Sequence, residues 1–186
     1  MSLKEIQNVL ALIYTDKEFR NTFFNEPENT GVSNELTIAE INILKELPQE
    51  RLNFFATSLQ SKRLNQVIKL LPFTHKFLGK KFIDLFISFS STYNPTGIKK
   101  HQDDAIKFSE YLQSVSESPV IAEISRYEAI YLKAWHYPQR IIIGRFYYPV
   151  DQIIKYNNLE PKKQKLTIIF WYRFFKQDKL KTFKLI

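Results

Sequence analysis

Apolar positions in the first half of the chain recur at three- and four-residue steps, the spacing of one face of an α-helix. Leu3, Ile6, Val9, Leu10 and Ile13 form the first such stripe. Asp16 is placed to cap a second short helix that runs through Phe23 and Phe24 and stops before Pro27. The stretch NEPENTGVSNE that follows reads as a loop. Thr37, with Glu40 three residues on, is a capping box for the next helix. Pro48 suits the first turn of a long helix that Pro72 ends.

Phe77, Leu78, Phe82, Leu85, Phe86 and Phe89 carry the period onward as one helix, closed by Pro95 and Gly97. Ala105, Ile106, Phe108 and Leu112 mark another. Pro119 opens a last one through Val120, Ile121, Ile124, Tyr127, Ile130, Tyr131 and Ala134. About six or seven helices are expected before residue 136.

After Tyr137-Pro138 the pattern changes. Residues 141–148 and 166–175 are rich in β-branched and aromatic side chains, as strands are. VDQIIKYNN between them reads as a short helical turn, and LKTFKLI as a short third strand. The expected fold is α+β: an N-terminal all-helical bundle over residues 1–135, then a small antiparallel sheet of two or three strands over residues 136–186. Both long strands are apolar on both faces. Leu166, Ile168, Phe170, Tyr172 and Phe174 point one way, and Thr167, Ile169, Trp171, Arg173 and Phe175 the other. One face can pack on the helices; the other, or the sheet edge, needs a different cover.

Charge sharpens this picture. The chain of 186 residues has a net charge of +8. Residues 136–186 hold eleven Lys/Arg against three acids, Asp151, Glu160 and Asp178, which accounts for the whole excess; the remainder is neutral. Such asymmetry points to an acidic partner for the C-terminal region. No cysteine is present, which removes disulfides, thiolate metal sites and a cysteine nucleophile. The first residues are not patterned as a signal peptide, and there is no run of eighteen apolar residues, so a cytoplasmic protein without a membrane span is expected.

Catalytic chemistry is not advertised. His75, His101 and His136 have no second ligand at helical spacing, so no metal site is expected. Asp103 and Asp104 sit on adjacent helix positions and read as a charge pair at a helix N-terminus. Four glycines are too few for a phosphate cradle, and there is no nucleophile motif. The chain is therefore expected to have no catalytic residues and to act as a binding protein.

Two kinds of partner compete. Aromatics interleaved with basic residues, as in GRFYY and WYRFFK, suit a nucleic-acid-binding module that stacks bases and holds phosphates. No known RNA-binding fingerprint accompanies them, and most of the aromatics alternate into both faces, so nucleic acid is the lesser reading. The second reading is capture of an extended peptide by strand addition. Main-chain groups bond it, alternate side chains enter apolar pockets, and a basic surround attracts acidic residues. This reading uses the edge, the surplus apolar face and the charge together. Its candidate residues are Ile141, Ile143, Arg145 and Tyr147 on one strand and Ile169, Trp171 and Arg173 on the other, with the two arginines as partners for carboxylates. Core packing is the alternative for each aliphatic.

The central region adds a resemblance. Pro72, Leu78-Gly79, Phe82, a turn at Pro95, Asp104, Phe108, Tyr111-Leu112 and Arg126-Tyr127-Glu128 follow one another in order. Over about residues 64–134 this resembles the helical partner proteins of multinuclear non-haem iron oxidases. Size and the C-terminal strands are similar to the methanobactin-biosynthesis branch of that family. The resemblance implies a heterodimer with an MbnB-type iron oxidase. That partner carries the iron and converts a precursor-peptide cysteine to an oxazolone with a neighbouring thioamide, in the making of a copper chelator. It implies that this chain has no cofactor of its own, helps hold the leader of the ribosomally made precursor MbnA, and completes the substrate channel. Arg126 and Tyr127 are then candidates for the face that meets the oxidase, with an internal pairing to Glu123 or Glu128 as the structural alternative.

Overall fold

The computed structural model describes residues 3–136, 141–157, 164–175 and 178–185. The fold is α+β, helical throughout its first part with a three-stranded antiparallel sheet at the C-terminal end. Nine helices precede the sheet among the described residues: α1 Leu3–Thr15, α2 Lys17–Asn25, α3 Pro27–Ser33, α4 Ile38–Lys45, α5 Gln49–Leu70, α6 Pro72–Leu78, α7 Lys80–Thr92, α8 Lys100–Val115 and α9 Pro119–His136. The strands are β1 Ile141–Phe146, β2 Thr167–Tyr172 and β3 Lys181–Leu185, with α10 Val150–Tyr156 between the first two.

Several boundaries follow from side-chain caps. Asp16 accepts the Phe19 amide at the start of α2. Thr37 and Glu40 form the complete capping box of α4, the glutamate bonding both the Thr37 amide and hydroxyl at 2.8 Å. These contacts hold the Glu40 carboxyl below its ordinary range.

Two boundaries differ from the pattern's forecast. Residues 27–33, read as a loop, form helix α3, because Pro27 both ends α2 and starts the next helix with its fixed φ. The single helix expected over residues 72–92 is broken into α6 and α7 at Gly79, whose φ of +56° only glycine adopts without strain.

The chain divides into two compact units, Met1–Arg63 with Ser90–Asn94, and Leu64–Phe89 with Pro95–Ile186. The first is built on Val9, Ile13, Phe23, Ile41, Leu44 and Leu52. In the second, Phe108 of α8 is ringed by Phe82, Phe86 and Phe89 of α7 at centroid distances of 5.1–5.3 Å. The change of composition near residue 136, between the expected bundle and the expected sheet, falls inside this unit. The reason is a shared core: Val120, Ile124 and Ala134 of α9 pack with Phe146, Val150, Ile153, Ile169 and Trp171.

Gly144 is required there. A Cβ at this position would lie 2.6 Å from the Phe146 ring and 2.9 Å from Trp171. Both rings are fully buried and cannot retreat. Gly144→Ala is therefore expected to lower stability by about 1–3 kcal/mol, read by urea denaturation; an unchanged midpoint would contradict this packing.

Candidate functional site

The strand order is β1-β2-β3. Ile141, Ile143 and Arg145 lie opposite Tyr172, Phe170 and Ile168. These in turn face Lys181, Phe183 and Leu185. Side chains alternate across a strand, so these nine residues share one face of the sheet. The other face carries Ile142, Gly144 and Phe146 of β1, Thr167, Ile169 and Trp171 of β2, and Lys184 of β3. It packs on α9 and α10, where Lys184 reaches Asp151 at 2.6 Å.

The outer face is largely apolar, exposed along β1 and β3 and half-buried along β2. Ile141 is 63% exposed, Ile143 58% and Phe183 54%. Tyr147, Leu166 and Phe174 extend it and are also exposed. Phe170 and Phe183 touch at 6.1 Å between ring centroids. The charges on this face are both cations: Arg145 lies over the Tyr147 ring at 5.3 Å, and Lys181 over the Phe174 ring at 5.7 Å. Lys165 and Lys179 are exposed nearby in sequence. Of the other C-terminal cations, Arg140, Lys162, Lys163 and Lys176 lie outside the described residues.

The predicted peptide-binding residues divide accordingly. Ile141, Ile143, Arg145 and Tyr147 are brought together on the outer face. Ile169 and Trp171 are not: they are 2% and 1% exposed and belong to the core. Arg173 donates through Nη2 to the carbonyls of Ala134 and Trp135, and so serves the last turn of α9. The partners that Ile143 and Arg145 do have on β2 are Phe170 and Ile168, of the alternating set opposite to Ile169, Trp171 and Arg173. One signal for the correct choice was present. A lone glycine within a strand marks close approach of a large neighbour, so Gly144 identifies its own parity as the packed face.

Helix α9 positions this sheet with polar side chains. Glu123 accepts the amides of Tyr147 at 2.7 Å and Tyr148 at 3.0 Å, just beyond β1. Arg126 donates to the Arg145 carbonyl at 2.9 Å, approaches Glu123 at 3.9 Å, and lies over the Phe146 ring. Tyr127 packs against Phe146 and Trp171. Both candidates for the partner-facing surface, Arg126 and Tyr127, thus make internal contacts, although Arg126 keeps about a third of its side chain exposed.

Glu128 faces the other way along the same helix. It is buried, and accepts the amides of Phe73 and Thr74 at 2.8 Å and the Thr74 hydroxyl at 2.6 Å, capping α6 from a distance in sequence. Burial outweighs these hydrogen bonds and pushes its carboxyl up to about 7. Burial likewise raises Glu123, against the bonds from the two tyrosine amides.

Among the described residues no group of three or more His, Asp or Glu converges as a metal site. His75, His101 and His136 are carried on α6, α8 and α9 respectively. No helix among the described residues is long and apolar enough to cross a membrane. No family model matches the chain, and no curated protein matches it.

The raised Glu128 carboxyl sets a pH dependence. The native state holds a proton between the ordinary glutamate value and about 7, where the unfolded chain has released it. Its contribution therefore falls as pH rises through that window and levels off above it. Across the window wild type is expected to lose about 3 kcal/mol relative to Glu128→Gln, measured by urea denaturation at pH 5 and pH 8. Parallel stability profiles for the two proteins would contradict the assignment.

Proposed function

We propose that this chain is the non-catalytic, peptide-holding subunit of an enzyme complex, in which an iron-dependent oxidase carries out the chemistry. The observation that carries the reading is the outer face of the sheet. It is apolar, exposed and cationic, and it is bounded by two strands, β1 and β3, that lack an outer strand partner among the described residues. Exposed apolar patches of this kind mark interaction sites. An extended peptide is the natural occupant, bonding through its main chain to an open edge and placing alternate apolar side chains beside the exposed residues of the strand it joins, Ile141 and Ile143 on β1 or Phe183 and Leu185 on β3. Carboxylates on that peptide meet Arg145 if it joins β1 or Lys181 if it joins β3.

The order of packing and turn residues from Pro72 to Glu128 that resembles the iron-oxidase partner proteins supports the same role. On that reading the chain is an MbnC-type subunit. It pairs with an MbnB-type oxidase in the partner's role of holding iron, and it binds the leader of an MbnA-type precursor. It needs no cofactor of its own. The paired Phe170 and Phe183 rings beside Lys181 give a nucleic-acid reading its strongest footing, since bases stack on such surfaces.

The test is co-purification with the oxidase, followed by titration with a fluorescein-labelled precursor peptide. A stoichiometric complex that binds peptide more tightly than either protein alone is expected. The variant on the edge that takes the peptide, Arg145→Glu for β1 or Lys181→Glu for β3, should weaken peptide binding by about tenfold, mainly through slower association, and leave the circular dichroism spectrum unchanged. Arg173 is unsuitable for this experiment, because reversing it removes donors from the end of α9. Unchanged peptide affinity in both variants would overturn the proposal. Tighter binding of single-stranded oligonucleotide than of peptide, with steep salt dependence, would transfer the surface to nucleic acid.

A further inference from the structure

A second candidate site lies away from the sheet, within the same compact unit. The last turn of α5, the first turn of α6 and one face of α9 enclose an open cavity of about 460 Å³. Ligand pockets typically measure about 300–1,000 Å³, so this one has room for a fused-ring molecule. Its walls are Leu70, Pro72, Phe73, Tyr127, Tyr131 and Leu132. Phe73 and Tyr131 are part-exposed aromatics, and Tyr131 is itself stacked on Trp135 at 6.4 Å. This is an apolar, ring-lined space of the kind that holds a planar ligand by dispersion and edge contacts.

The charges at this cavity have an order. Glu128 contributes to the lining, but both of its oxygens already accept the donors of Phe73 and Thr74. It therefore occupies the start of α6 and leaves no place for an anion beside it. Lys69 also lines the cavity, and its residue is exposed. A negative group finds no free donor beside the buried carboxyl and is attracted where the ammonium meets solvent. A positively charged group at Lys69 is disfavoured for the same reason.

We infer that this cavity binds an aromatic carboxylate, with its ring among Phe73, Tyr127, Tyr131 and Leu132 and its carboxylate outward on Lys69. The ring supplies affinity and the ion pair supplies direction, since a half-exposed pair contributes little alone. This site is separate from the outer sheet face and does not depend on the peptide reading.

The experiment is isothermal titration of the full chain with 2-naphthoate and with neutral 2-naphthalenemethanol. Saturable one-to-one binding of naphthoate is expected. Lys69→Gln should weaken naphthoate by about fivefold and leave the neutral alcohol unaffected, because only the ion pair is removed. Tyr131→Ala should weaken both ligands, because it removes a wall. Absence of saturable naphthoate binding to wild type would overturn the inference. So would equal naphthoate affinity in wild type and Lys69→Gln, or a Tyr131→Ala variant that is folded and binds both ligands unchanged.

Discussion

Backbone amides at chain ends and turns must be satisfied, and in the second compact unit α9 satisfies them with buried carboxylates. Glu123 takes the two amides that follow β1, and Glu128 takes the two at the start of α6. The carboxylates are five residues apart on one helix, and they bind elements that lie on either side of it in the sequence. Burying them is costly, as their raised proton affinities indicate. The cost is tolerated because each carboxylate accepts two or three donors that would otherwise be orphaned. An apolar residue at either position would pack as well but leave those amides without partners.

From this follows the orientation of the sheet. With Tyr147 and Tyr148 held by Glu123, and the Arg145 carbonyl held by Arg126, the end of β1 is fixed against α9. Phe146 and Trp171 then turn inward onto Tyr127. Antiparallel register carries the choice across the sheet: once β1 has one parity outward, β2 and β3 have no freedom left. The exposed apolar face is a consequence of contacts made on the opposite side.

Much of this was readable from residue order. The period of the apolar positions located most of the helices, the capping box at Thr37 was formed as expected, and the three strands emerged from β-branched and aromatic runs. The misreadings have specific causes. Pro27 reads in the sequence only as a stop, and in the fold it is also a start. Gly79 was absorbed into a helix because its neighbours keep the period. On β2 both alternating sets are apolar, so periodicity offers no preference between them; only register against β1 decides, and register is a long-range property. For the same reason Ile169 and Trp171 read as surface candidates in the sequence and belong to the core. The resemblance of Arg126-Tyr127-Glu128 to a family pattern drew notice to these residues without revealing what each one holds.

The position of β2 at the centre of the sheet separates two kinds of change. Its inward residues, Thr167, Ile169 and Trp171, are constrained by the core, whereas Ile168, Phe170 and Tyr172 are in contact chiefly with their outer neighbours. Substitutions among the latter change the outer face and leave the inward packing in place. The outer face also carries a hazard, because two greasy sheets with open edges associate readily. Arg145 and Lys181 stand directly on that face, so a second copy would bring like charges together. The two cations thereby act as gatekeepers against self-association, and a variant that neutralises both gains a tendency to aggregate.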